Sequence, residues 1–343
     1  MEIGIIGLPG SGKSTLFEIM TGVKSREIHG EPCVRGLATV PDQRFDKLVS
    51  IFKPVKVSPA KVPFVDVHAA GEKAWNMIRQ NLSGADGLVH VIDGYTTGDL
   101  ADLVADYRKL EDELVLSDLM IVENRLERLG KMSKTAFKPL DTAQLEILPR
   151  LKAHLEGGGA LRDLALSADE IHTLLSFSFW TIKPELIVIN RGEDRPAPVE
   201  AFQKETAIPI PAIEVCCLVE AEIAALPPAE QKEYLAAMGI EEAAFSKVIR
   251  GAFAMVKQMA FFTVGEDEVK AWVIPVDTKA PRAAGAIHKD FERGFIKAEV
   301  ATYDDFIACG GTNSGVKAAG KLRLEGKEYL VRDGDIINFR FNV

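Results

Sequence analysis

Apolar positions along the chain follow two rhythms. Short, nearly continuous runs at 3–6 (Ile3, Ile5, Ile6), 61–66, 88–93 and 185–190 have the length and density of strands buried on both faces. That is the pattern of a parallel sheet. Between the last two runs the spacing changes. Leu103, Tyr107, Leu110 and Leu114, then Leu119, Val122, Leu126 and Leu129, recur at helical steps with charges between them, which predicts a long amphipathic helix over 99–130. Leu145, Leu148, Leu151 and Leu155 predict a second helix before Gly157, with Pro149 expected to kink or restart it, and 167–179 a third. Residues 98–182 therefore read as a helical insertion in an α/β core, with an antiparallel pair of long helices. By contrast, Gly22, Gly30, Pro32 and Gly36 predict a loop-rich stretch over 22–57. Beyond 268, strand-like runs at 269–276, 295–301, 329–331 and 336–341, with a turn at Asp333-Gly334-Asp335, predict a small α/β unit.

The first strand runs straight into Gly7-Leu8-Pro9-Gly10-Ser11-Gly12-Lys13-Ser14, which fits the phosphate-loop pattern G-x-x-x-x-G-K-[ST] without a gap. A helix follows over 14–20, so the glycines fall at the strand-to-helix junction this chemistry requires. A triphosphate is multiply anionic, and a bent loop with little side chain turns successive backbone N–H groups toward it. Lys13 is placed to reach the β and γ phosphates, the Ser14 hydroxyl to ligate Mg2+, and the helix N-terminus adds its positive dipole end. The run 61–66 ends in Asp66, an acid placed at a strand terminus to reach the same metal. Capping of the following helix is a compatible second role.

Composition excludes several classes. The 343 residues, 47% hydrophobic and 27% charged, are those of a folded protein of two or three domains. No apolar run reaches membrane-spanning length, and the chain opens on a core strand rather than a signal peptide, so a cytoplasmic protein is expected. Cys33, Cys216, Cys217 and Cys309 lack metal-ligand spacing and read as reduced thiols. A net charge of −9 argues against a broadly basic nucleic-acid binder. Lys317, Lys321, Arg323 and Lys327 form a local basic cluster that could face RNA or simply solvent.

Two further stretches bear on the nucleotide. Thr39 is the only threonine between 22 and 57, and stands either as a metal-sensing residue or at a strand start. His29 and His68 are the polar candidates near the γ-phosphate, against the commoner role of a lone histidine as a surface or satisfied core residue. The strand at 185–190 ends in Asn190-Arg191-Gly192-Glu193. Guanine is read at this place by N-K-x-D, whose aspartate accepts from guanine N1–H and the N2 amino group. Arg191 and the longer Glu193 do not reproduce that geometry.

The opening run through Lys13, Ser14, Thr15, Leu16 and Phe17, together with Val40-Pro41-Asp42, Asn190-x-x-Glu193, Ala286-Ile287-His288-Lys289-Asp290-Phe291, Gly294-Phe295-Ile296-Lys297-Ala298-Glu299 and Asp333-Gly334-Asp335-Ile336-Ile337, resembles the YchF-type Obg-like ATPases over essentially the whole chain. The resemblance implies a P-loop NTPase domain over 1–97 and 183–265, a coiled-coil insertion over 98–182, and a C-terminal TGS domain of ubiquitin-like β-grasp fold over 266–343. It further implies a monomer that prefers ATP to GTP and associates with ribosomes. Carried onto this chain, the nucleotide would meet Gly7, Pro9, Gly10, Ser11, Gly12, Lys13, Ser14, Thr15, Asn190, Glu193, Cys217 and Leu218, with Mg2+ on Ser14 and Asp66.

This chain departs from the family where the family switches. The family's Cys-Thr-Ile-Glu-Pro segment stands here as Ile28-His29-Gly30-Glu31-Pro32, its Asp-Ile-Ala-Gly-Leu as Asp66-Val67-His68-Ala69-Ala70, and its Ser-Ala-Lys-x-Glu as Cys216-Cys217-Leu218-Val219-Glu220. No glutamine stands ready to orient water. Slow hydrolysis is expected, because positioning and charge stabilisation supply nearly all catalysis of phosphoryl transfer. Two readings remain open: a slow ATPase that switches a ribosome-facing surface, and a nucleotide-stabilised binding module. A GTP-specific enzyme is the further alternative.

Overall fold

The structure is a computed structural model that describes residues 1–25, 33–67, 74–96, 98–133, 136–207 and 212–342, with backbone alone at 74–76, 228, 229 and 232. In chain order its strands are β1 (Ile3–Ile6), β2 (Cys33–Thr39), β3 (Lys56–Ser58), β4 (Lys61–Val67), β5 (Gly87–Gly94), β6 (Glu185–Arg191), β7 (Ala212–Val215), β8 (Gln258–Thr263), β9 (Glu268–Pro275), β10 (Phe295–Ala301), β11 (Arg323–Glu325) and β12 (Ile336–Phe341). They form two six-stranded sheets, β2-β4-β1-β5-β6-β7 and β11-β10-β12-β8-β9-β3. The chain divides into two compact units, one of Met1–Gly36 with Pro63–Val248 and one of Leu37–Val62 with Ile249–Val343.

In the first unit β4, β1, β5, β6 and β7 all pair in parallel. Their central positions are buried on both faces, which is why the sequence shows unbroken apolar runs there rather than alternation. The strand order reverses beside β1, the place in an open α/β sheet where a ligand crevice forms at the carboxyl ends.

The helix Leu100–Lys131 does two jobs in succession. Its first half lies on the sheet, where Leu103, Val104 and Tyr107 pack with Ile92, Ile187 and Ile189, and Leu110 and Leu114 with Ile6, Val65 and Leu88. Its second half carries Val122 and Leu129 against Ile147, Leu148, Leu151 and Leu155 of the helix Pro139–Glu156. Ion pairs Arg125–Asp141 and Glu123–Lys152 run in opposite senses along the two helices, so the pair is antiparallel. The expected restart at Pro149 does not occur, and the second helix is continuous through it. Leu145, whose carbonyl Pro149 has no N–H to reach, lies on the exposed face of the helix. The third helix is shorter than its pattern predicts. Ser167 and Glu170 form a capping box that starts it, but it spans only Ala168–Leu174 before a single tighter turn to Phe177.

Asp118 fastens the long helix to the sheet's approach. Fully buried, its carboxylate accepts from the backbone N–H of Trp180 and Thr181 and from the Thr181 hydroxyl, at 2.8–3.0 Å. Burial, opposed by these donors, raises its pKa.

The expectation of a loop-rich stretch over 22–57 is corrected by β2, the helix Gln43–Phe52 and β3. In β2 the buried positions are Val34, Gly36 and Ala38, alternating with exposed Arg35, Leu37 and Thr39. Glycine and alanine carry too little apolar surface for the period of two to register. Thr39 ends that strand rather than starting one. Asp42 caps the following helix through Arg44 N–H at 2.9 Å.

The second unit is a mixed sheet. β12 lies between antiparallel β10 and parallel β8, β8 and β9 form an antiparallel pair, and β3 adds in parallel to β9. The helix Ala280–Ile287 sends Ala280, Ala283 and Ala284 into a core with Phe261, Ile274, Val300 and Phe339. The strand expected at 329–331 is replaced by a single bridge between Lys279 and Leu330. Tyr329 accepts from Ala280 N–H on its carbonyl at 2.8 Å, and its hydroxyl donates to Asp335 at 2.7 Å. In the basic cluster Lys321 pairs with Asp305 and Arg323 with Glu325. No helix among the described residues is long and apolar enough to cross a membrane.

Replacing Asp118 with Ala leaves two buried N–H groups without their acceptor. Urea unfolding of the full chain is expected to show a loss of about 3 kcal/mol, and a change under about 0.5 kcal/mol would show that the clamp is not holding the helix.

Candidate functional site

The loop that follows β1 is shaped by two close approaches. Gly7 passes so near β5 that a Cβ there would lie 2.3 Å from the Val91 carbonyl oxygen. Gly12 has φ +97°, and a Cβ would meet Asn190 Nδ2 at 2.5 Å. Neither position accepts a side chain. Ser11 N–H closes the turn on the Leu8 carbonyl at 3.3 Å, with Pro9 and Gly10 exposed at its tip. The helix Lys13–Thr21 begins at once, so Ser14 and Thr15 stand half-buried in its first turn. Ser11 is buried, and its hydroxyl has no hydrogen-bond partner among the described residues.

Lys13 turns back along the loop and donates to the Leu8 carbonyl at 2.8 Å. Burial lowers its pKa, and the Asp66 carboxylate opposes that shift. Asp66 arrives through strand register, because β4 sets it opposite Ile5, two residues before the loop. It is fully buried and accepts from the equally buried Ser25 hydroxyl at 2.7 Å. Ser25 carries no motif, and a lone serine gives no signal in sequence.

Asn190 stands across the loop from Asp66. Its Nδ2 donates to the Ser11 carbonyl at 3.1 Å, and its Oδ1 accepts from Cys217 N–H at 3.1 Å. One side chain thus joins the phosphate loop, the end of β6 and the start of the helix Cys217–Ala225. Both ends of the amide are used within the protein. Glu193 is exposed, and its backbone carbonyl accepts from Arg191. Leu218 is 46% exposed, whereas Cys217 is buried and burial pushes its thiol up to about 12. The structure therefore brings Gly7, Ser11, Gly12, Lys13, Asp66, Asn190 and Cys217 together, leaving Pro9, Gly10, Glu193 and Leu218 at the surface. His29 and His68 lie outside the described residues, as do the segments 28–32 and 68–71.

The oxygen donors available here are hard ones. A serine hydroxyl and a buried carboxylate suit Mg2+, which keeps several waters and takes one or two protein oxygens beside phosphate. Among the described residues there is no cluster of three or more His, Cys, Asp or Glu that would form a self-contained metal cage. The cradle has the polarity of an anion site, with a half-buried ammonium, a helix N-terminus and backbone N–H groups.

A parallel sheet with this loop after the strand at its switch point is the fold of a P-loop NTPase. Known proteins narrow the class. The protein named ribosome-binding ATPase YchF of Haemophilus ducreyi is 38% identical over 365 residues, covering 100% of this chain and 99% of its own. Its namesake in Bacillus subtilis is 35% identical and covers 100% of both chains. Obg-like ATPase 1 of Oryza sativa subsp. japonica is 36% identical, covering 100% of this chain and 92% of its own. The family model described as YchF-GTPase_C, protein of unknown function (DUF933), matches residues 258–342. The solved YchF GTPase of Schizosaccharomyces pombe superposes with a TM-score of 0.86 at 27% identity, over 99% of this chain and 97% of that one. This chain belongs to the YchF family.

Two outcomes test the geometry. Asn190→Ala frees a buried carbonyl and a buried N–H at once, so unfolding stability should fall by about 2 kcal/mol, and triphosphate affinity should fall with it. Cys217, protonated across the working range, should resist iodoacetamide up to about pH 9 in the folded protein and react after unfolding in urea, as mass spectrometry of its peptide would show.

Proposed function

We propose that this protein is a slow, Mg2+-dependent ATPase that acts as a ribosome-associated switch. The observation that carries the reading is the convergence of Lys13 and Asp66 on one loop at the carboxyl end of β1. The backbone N–H groups of 7–14 and the Lys13 ammonium bind the β and γ phosphates. Breaking the Lys13 contact to the Leu8 carbonyl costs little, since phosphate offers a stronger, charge-assisted acceptor. Ser14 and Asp66 are the residues that would hold Mg2+, which supplies positive charge against the oxygens that gain negative charge as the phosphoryl group transfers. Ser25 keeps the Asp66 carboxylate in one orientation.

Selectivity for ATP is supported by what the strand end lacks. Arg191 directs its guanidinium to the carbonyls of Gly192 and Glu193 and pairs with Glu214 at 3.6 Å, and Glu193 stands exposed. The names of the curated relatives include ATPase, whereas the solved relative is titled a GTPase, so guanine is the competing reading. Association with the ribosome rests on the relatives' names and on the preserved second unit. We assign that unit to the β-grasp class on its mixed sheet and the helix Ala280–Ile287 packed against it, and assign the helical insertion as a partner-binding arm.

Calorimetric titration of nucleotide-free protein with ATP and GTP in Mg2+, followed by phosphate release, tests the assignment. The expected result is preferential ATP binding with slow turnover. Lys13→Ala should weaken ATP binding by about 100-fold, the loss of a charge-assisted contact of roughly 3 kcal/mol. Preferential GTP binding would overturn the ATP reading, and unchanged affinity in the Lys13 variant would overturn the site. Co-sedimentation with ribosomes, with and without ATP, tests the partner separately.

A further inference from the structure

Four ionisable side chains meet where the helical insertion rests on the nucleotide-binding sheet. His90 comes from β5, Glu185 from β6, Glu111 from the helix Leu100–Lys131, and Arg162 from the single turn Leu161–Asp163. His90 Nδ1 lies 2.8 Å from Glu185 Oε1. Arg162 Nη1 donates to Glu111 Oε1 at 2.6 Å and lies 3.0 Å from Glu185 Oε2, while its Nε donates to the Lys183 carbonyl at 3.2 Å. The side chains of His90 and Glu185 are 1% and 0% exposed, those of Arg162 and Glu111 9% and 11%. The ring of Tyr107 stacks on His90 with centroids 5.4 Å apart and closes the cluster on the helix side.

The charges do not balance. Two carboxylates share one guanidinium, so holding both ionised in this buried cluster is costly unless a proton joins it. The two acids are not equivalent. Glu185 has a basic partner on each oxygen, and although burial opposes its ionisation, Arg162 and His90 hold its carboxyl below the usual range. Glu111 has Arg162 alone, and its Oε2 has no hydrogen-bond partner among the described residues. Burial and the adjacent Glu185 push Glu111 up to about 7. The other groups facing the cluster do not take its proton. Burial keeps Tyr107 protonated. Asp106 and Asp163 add further negative charge around it, and the Lys183 ammonium is turned away onto the carbonyls of Ser83 and Ala85.

We propose that this cluster is a proton-linked latch, in which one proton taken up on Glu111 clamps the long helix to β5 and β6 and release of that proton loosens the joint. The folded protein binds this proton more tightly than the unfolded chain does. Its contribution to stability is therefore fully present below the ordinary glutamate range and is lost as pH rises through about 7. Glu185 works in the opposite sense: its contribution is present above the ordinary range and fails only in acid, outside this window. The latch also lies on the strand that carries Asn190 at its other end, so the joint and the nucleotide loop share one rigid element.

The test compares the full chain with Glu111→Gln, which keeps an oxygen for Arg162 and carries no titrating proton. Urea unfolding from about pH 5 to pH 8 should show the wild-type unfolding constant rising against that of the variant, by up to about tenfold per pH unit. Parallel profiles would overturn the latch. Hydrogen exchange, corrected for intrinsic rates, should show the wild type losing protection with pH at 103–114 and 160–163 ahead of the rest of the unit. Uniform loss would leave no local joint and overturn it as well. Should the variant fail to fold, infrared spectroscopy of glutamate-labelled wild type should reveal one buried protonated carboxyl that disappears across neutrality, and its absence at mildly acid pH would be equally decisive.

Discussion

The phosphate loop depends on a backbone contact that leaves no room for side chains. β1 delivers Gly7 against the Val91 carbonyl, and the loop then bends back to Gly12 against Asn190. These approaches fix where the backbone N–H groups point, and the neighbouring strands supply what surrounds them. β4 contributes Asp66 by register, β5 the floor at Val91, and β6 the Asn190 amide that spans the loop. The loop end of the sheet is built from strand termini that the strand order brings together. A side chain at Gly7 would part β1 from β5 before it touched a nucleotide.

At the base of the insertion the molecule uses buried polar groups where an apolar contact would be simpler. Asp118 reaches the backbone of Trp180 and Thr181, and Thr181 in turn accepts Leu161 N–H on its hydroxyl and Arg162 N–H on its carbonyl. Such contacts are directional. They set the rotation of a 32-residue helix about its axis, which leucines alone would leave loosely defined.

The strong periodicities were legible in the sequence. The parallel strands are buried on both faces and read as unbroken runs, and the long helix shows its repeat, so their extents agree with the pattern within a few residues. The phosphate loop was legible because its chemistry tolerates few alternatives. Features built from small or polar residues were not. β2 hides its alternation behind Gly36 and Ala38, β11 is a three-residue strand with exposed Leu324, and 329–331 is held by a single bridge and the Tyr329 hydroxyl contact rather than as a strand. At the site, Ser25 and the double role of Asn190 depend on distances across 41 and 179 positions of chain. The cluster of His90, Glu111, Arg162 and Glu185 depends on contacts across 51 and 95 positions, and each member alone is an unremarkable residue.

The second unit is assembled from two pieces of chain that are far apart. β3 pairs with β9, and the Ser58 hydroxyl donates to Glu268 across 210 positions at 2.7 Å, beside a Lys56–Glu268 ion pair. During synthesis β3 emerges with no strand to pair with and waits until β9 has been made. A strand made more than 200 residues later therefore completes the pairing of an early one. A fragment beginning at 249 would expose β9 as a bare edge strand, ready to pair with another copy of itself.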